Sequence, residues 1–182
     1  MASFCTSVVD SWGTKLRFSL GAYLWFLIML AFLAVLQMNR IGLYLVPPFL
    51  ATLTILHLIP DAAIAQPYAV VVGSVCGASV GTLMTVAGHS VWIAIASVAI
   101  AFVVIHLLRA YHPPGVALAL YPALLHPGRW FPVTVVLPFT VTAVVSATLF
   151  SRMSRHWPKY PLPLRKRSPV PQSKVDCDVY SE

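Results

Sequence analysis

The stretch with the most chemistry is Arg109-Ala110-Tyr111-His112-Pro113-Pro114-Gly115. Two successive prolines donate no backbone hydrogen bonds, and the residue before a proline is pushed out of the helical region. A helix arriving here is therefore expected to end by Tyr111 or His112. Proline suits a first helical turn, so a new helix is expected to start at Pro113 or Pro114 and run through Val116 to Leu125. Its free N–H groups and positive dipole end would face the surroundings of His112. Together with the donors of Arg109 and His112, they form a candidate site for a small oxyanion. Each side chain also has a plainer reading, Arg109 as an interfacial cation that snorkels to a membrane surface and His112 as a helix cap.

A second pair, Pro47-Pro48, repeats the break without the charge, because Val46 stands where His112 stands. Its helix would bring a dipole alone. His57 lies two turns further on, and His57 and His112 are the candidates for proton coupling, since histidine titrates near neutral pH. Thr52 and Thr54 are expected to bond backbone carbonyls. Gly73, Gly77 and Gly81, at four-residue spacing, mark a face for close helix packing and carry no ligand role.

Other chemistry is sparse. His89, His106, His126 and His156 offer no pair at zinc-ligand spacing with a partner carboxylate, so no metal site is expected. Cys5, Cys76 and Cys177 are too scattered for a disulfide framework. With no nucleophile–base pair or carboxylate pair visible, neither an enzyme nor a cofactor is expected.

The elements that must position these residues follow from composition. Of 182 residues 59% are hydrophobic and 9% charged, with a mean hydropathy of +0.83; soluble domains carry about a quarter charged residues. Between Gly21 and Ser151 the formally charged side chains are Arg40, Asp61, Arg109 and Arg129. The chain therefore reads as an all-α, multi-pass membrane protein. Apolar runs at 21–38, 68–87, 91–108 and 133–150 are long enough to approach the ~20 residues that cross a bilayer. The Pro-Pro segments 41–59 and 110–127 are apolar too, and either cross as broken helices or turn back, giving four full spans plus two re-entrant segments, or six crossings. The first run is read as a retained signal anchor, because Asn39-Arg40 and not a cleavage site follows it.

Lys15 and Arg17 precede the first run, and Arg152, Arg155, Lys159, Arg165, Lys166, Arg167 and Lys174 follow the last. The positive-inside bias then puts both ends in the cytoplasm and requires an even number of crossings. It also accounts for the net charge of +7 without a nucleic-acid partner. Val46-Pro47-Pro48-Phe49-Leu50-Ala51 lines up with His112-Pro113-Pro114-Gly115-Val116-Ala117. This is a candidate duplication of halves 21–87 and 91–150, which three crossings each would place in opposite orientations. Flanking this domain of 21–150 are a cytoplasmic segment, 1–20, and a basic, proline-rich tail, 151–182, with too little apolar content to fold alone.

These residues resemble the HPP family of integral membrane proteins, named for the motif that here is His112-Pro113-Pro114. Pro47-Pro48-Phe49-Leu50-Ala51-Thr52 and Ala65-Gln66-Pro67 are similar to the family's Pro-Pro-Phe and Ala-Gln-Pro stretches, and Arg109 matches its arginine. The likeness covers about residues 40 to 150. After Ala-Gln-Pro the family's Arg-Asn and Gly-Gly-His are absent, since this chain reads Tyr68-Ala69-Val70-Val71-Val72-Gly73-Ser74-Val75, and Pro-Pro-Ala-Gly-Ala becomes Pro114-Gly115-Val116-Ala117 after Pro113. The resemblance implies a protein of about four spans whose plant plastid relatives are linked to nitrite transport. The expectation is a transporter or channel for a small anion such as nitrite in a bacterial inner membrane, with His112, Arg109, Pro113, Pro114, Gly115, Pro47 and Pro48 at the site. The alternative is a non-transporting structural or sensory subunit with a partner-docking tail. The lipid bilayer and a small anion are the partners, and self-association is left open.

Overall fold

The computed structural model describes residues 20–38, 46–154 and 157–162. Lys15, Arg17, Arg40, Arg155, His156, Cys5, Cys177 and the tail charges from Arg165 to Lys174 lie outside these residues, as do the starts of the chain and of the segment 41–59. Every element among the described residues is helical. Helix α1 spans Leu20–Met38, α2 Pro47–Leu58, α3 Pro67–Met84 and α4 Val91–Leu107. They are followed by α5 at Pro113–Leu118, α6 at Tyr121–Leu125 and α7 at Leu137–Met153. A 3₁₀ turn, Ala63–Ala65, precedes α3, and another, Thr85–Ala87, extends it. A π-helical turn, Pro132–Val136, leads into α7. Pro138 accounts for that widening, because it cannot donate to the carbonyl four residues back and its ring pushes against it.

Three stretches are long and apolar enough to cross a membrane: Leu20–Met38, Pro67–Ala87 and Pro132–Met153. Four full-length spans were expected. The fourth, Val91–Leu107, has 17 residues, about 25 Å at 1.5 Å per residue. The Pro-Pro segments are shorter still. α2 has 12 residues, about 18 Å, and the second segment is split into α5 and α6, with Pro122 in the first turn of α6.

Side-chain contacts fix the direction of each pass. Trp25 lies 5.3 Å from Trp157 and His57 5.9 Å from it, ring centre to ring centre. The Tyr160 hydroxyl donates to the Ala65 carbonyl at 2.9 Å, and the Tyr68 hydroxyl to the Leu108 carbonyl at 3.0 Å. The starts of α1 and α3 and the ends of α2, α4 and α7 thus share one face, termed proximal. At the other end, Phe49 stacks on Phe139 at 4.1 Å, and His89 meets His126 at 4.2 Å. The described chain therefore runs back and forth between two faces in six legs, beginning and ending on the proximal one.

The packing is apolar outward. Leu20, Ile28, Trp92, Ile95, Val103 and Leu149 are exposed, whereas Thr52, Ser74, Ser97, His112 and Thr140 are buried. In water such an exterior would be one large adhesive surface. In lipid there is no hydrophobic gain in hiding it, and small and polar residues collect between helices instead. Exposed Trp92 and Trp130 lie toward the distal face and exposed Tyr23, Tyr68 and Tyr111 toward the proximal one, as aromatic belts do at the two interfaces of a bilayer.

Candidate functional site

The site begins where α4 stops. Arg109 N–H bonds the His106 carbonyl and Ala110 N–H reaches back to the Ile105 carbonyl, with Arg109 at φ 53. This is a Schellman closure with arginine at the left-handed position where glycine is usual. Ile105 and Ala110, the residues it joins, are both buried. The turn sends the Arg109 side chain outward, where it is exposed, while His112 is fully buried.

His112 adopts extended backbone, φ −133 and ψ 105, directly before Pro113, and the helix restarts at Pro113. Its ring joins two distant parts of the chain. Nδ1 is 2.8 Å from the Ile64 carbonyl oxygen, and Nε2 is 3.0 Å from Thr52 Oγ1. A carbonyl only accepts, so Nδ1 carries a hydrogen. Nε2 then accepts from Thr52 when the ring is neutral and donates to it when the ring is charged. Thr52 can serve both states, because its hydroxyl is also 2.9 Å from the Pro48 carbonyl. In the charged state its hydrogen turns to Pro48. Thr54 bonds the Leu50 carbonyl at 2.9 Å and has only the backbone role.

The glycines explain how an irregular segment fits inside the bundle. A Cβ on Gly73 would strike the Ala110 carbonyl, one on Gly77 the Gly115 carbonyl, and one on Gly81 the Ala119 carbonyl. The contacts advance together, so the segment 110–119 runs parallel to α3 with backbone against backbone. Gly115 belongs to this contact, since a Cβ there would come within 2.6 Å of the Gly73 carbonyl. Pro48 and Pro114 are buried, while Pro47 and Pro113 are exposed. Beside this contact Ser74 is buried and its hydroxyl has no hydrogen-bond partner.

The residues expected to act together are thus divided. His112, Gly115, Pro48 and Pro114 meet at the α2–α3–α5 junction. Arg109 lies outside it, and His57 sits at the proximal end of α2 among Phe26 and Trp157. The restarted helix α5 has six residues, which limits its dipole. Sequence reasoning missed the Ile64 carbonyl, Tyr160 and the His89–His126 pair. The residues 157–162 form a strap over the proximal face, where Tyr160 N–H bonds Ser151 Oγ at 2.8 Å and Leu162 N–H bonds Gln66 Oε1 at 3.0 Å. Ile64 and Ala65 are neighbours on one 3₁₀ turn, so His112 and Tyr160 grip it from two sides. Among the described residues no group of three or more metal-ligating side chains occurs.

Apolar helices around a proline-broken, histidine-centred core define a multi-pass helical membrane protein. The family model for the HPP transmembrane region matches residues 9–161, and the chain belongs to that family. No curated protein and no solved structure matches the chain.

Proposed function

We propose that the protein is a transporter or channel for a small inorganic anion such as nitrite, with His112 as the group that meets the anion. The observation that carries this reading is a fully buried imidazole bridging the two proline-broken segments. Ionisable groups at membrane depth are costly to keep, and they mark transport pathways more than they mark packing. The conformation described is an occluded one. An anion reaches His112 only by displacing Thr52 or the Ile64 carbonyl as its partner, which requires α2 and α5 to part. Ser74, whose hydroxyl has no hydrogen-bond partner, follows Gly73, which packs against His112.

The six legs support an arrangement of two inverted halves, α1–α3 and α4–α7, each with one proline-broken leg. Such pairs rock against each other around a midplane site. Arg109, Arg152 and Lys159 gather on the proximal face against Arg129 on the distal one, which supports a cytoplasmic proximal face. The inner membrane of a bacterium remains the expected location.

A second reading has its own observation. Both ring nitrogens of His112 are satisfied, as in a purely structural histidine, and the protein would then be a non-transporting subunit. Nitrite uptake into proteoliposomes separates the two. Transport predicts that His112→Ala and His112→Gln both lose uptake at wild-type levels of inserted protein. Uptake that survives in either variant overturns the assignment of His112.

A further inference from the structure

We propose that the distal face carries a second, solvent-facing anion site, in which His89, His126 and Arg129 together hold a small inorganic oxyanion. The three side chains line one open cavity of about 260 Å³ with Thr82 and Thr85. They come from separate places, His89 from the α3–α4 turn and the others from the loop after α6, and the two imidazole centres stand 4.2 Å apart at 56°. His126 is held at φ 50, a left-handed backbone that costs a non-glycine residue about 1 kcal/mol.

The composition selects the sign of the ligand. Arg129 is a permanent cation with five donors, and each imidazole presents an N–H in either protonation state. Asp61, the carboxylate present among the described residues, lies in the turn between α2 and α3 on the proximal face, so no described carboxylate neutralises the cavity. A metal ion would have two imidazoles, no third ligand and an arginine to repel it. Thr82 and Thr85 donate their hydroxyl hydrogens to the Ala78 and Thr82 carbonyls, which leaves binding to the three nitrogen groups. Among the described residues Arg129 is the charged group facing the pair, and α3 contributes only hydroxyls. The site does not depend on whether anions cross the membrane.

The test is a titration of full-length, ¹⁵N-histidine-labelled protein in zwitterionic nanodiscs with sodium nitrite, against sodium chloride at equal ionic strength. The expected result is a saturable shift of the His89 and His126 signals. Affinity should fall about tenfold in Arg129→Gln and in His126→Gly, the latter keeping the turn that glycine prefers. A shift retained in His112→Ala protein that has lost uptake separates this site from the transport site. No saturable shift, an equal response to chloride, unchanged affinity in both variants, or a response to zinc chloride alone would each overturn the proposal.

Discussion

The two ring nitrogens of His112 make demands that amide side chains can test one at a time. Asparagine places a donor near the Nδ1 position and can keep the Ile64 contact, and glutamine reaches the Nε2 position and can keep Thr52. Alanine keeps neither, leaves the buried Ile64 carbonyl unpaired and opens a cavity, a loss of about 3 kcal/mol. Chemical denaturation in detergent should rank wild type first, the two amides next and His112→Ala last. If alanine is as stable as either amide, the bonds to Ile64 and Thr52 contribute nothing to the fold. Arg109 invites the opposite experiment. At φ 53, glycine is the relaxed residue, so Arg109→Gly should match or exceed wild-type stability by up to about 1 kcal/mol. Any change in uptake in that variant reports on the charge and not on a broken turn.

At the scale of elements, the parallel contact of α3 with the segment 110–119 depends on absent side chains. Gly77→Ala forces a methyl into the Gly115 backbone, which neither helix can yield without moving. A loss of about 2 kcal/mol is expected, whereas Gly88→Ala meets open space and suffers only from its φ of 132. A Gly77→Ala protein that melts with the wild type would mean that α3 and α5 pack more loosely than their contacts require. The strap gives a second element-scale prediction. Removing the Tyr160 hydroxyl frees the Ala65 carbonyl, so Tyr160→Phe should speed trypsin cleavage after Lys159 several-fold in detergent. Burial raises the Tyr160 phenol above its ordinary value. The sign then follows: the strap's contribution is complete below about pH 10 and is lost as the pH climbs beyond it. Wild-type cleavage should therefore accelerate only in that alkaline range.

These elements also mark how far residue patterns can be read. The breaks before Pro47 and Pro113 follow from the missing N–H and from the ring's clash, both local, and they occur where expected. The four-residue glycine spacing is likewise local, but its partner is not, since nothing near Gly77 names Gly115. The left-handed turn at Arg109 was invisible because its residue type argues against it, and it is that turn that moves Arg109 away from His112. The Ile64 carbonyl could not be found by scanning side chains at all. His89 and His126 are separated by most of two passes, and only the fold brings their rings together.

For the whole molecule, the decisive quantity is the side of the membrane on which each turn emerges. Ala110 beside Gly73, Ala119 beside Gly81 and His126 beside His89 trace the segment 110–126 along the length of α3, so a residue just before it and one just after it belong to opposite faces. If the segment instead turned back, Arg109 and Arg129 would emerge together. Single cysteines in a background lacking Cys5, Cys76 and Cys177 distinguish the two, using a membrane-impermeant maleimide on sealed, oriented vesicles. Asp61→Cys, Arg109→Cys and Lys159→Cys should label from one side, and His89→Cys and Arg129→Cys from the other. Labelling of positions 109 and 129 from the same side would reduce the chain to four crossings and end the inverted-repeat reading. The expected split would instead place the two proline breaks in oppositely directed passes, and with them the His112–Thr52 contact between the halves.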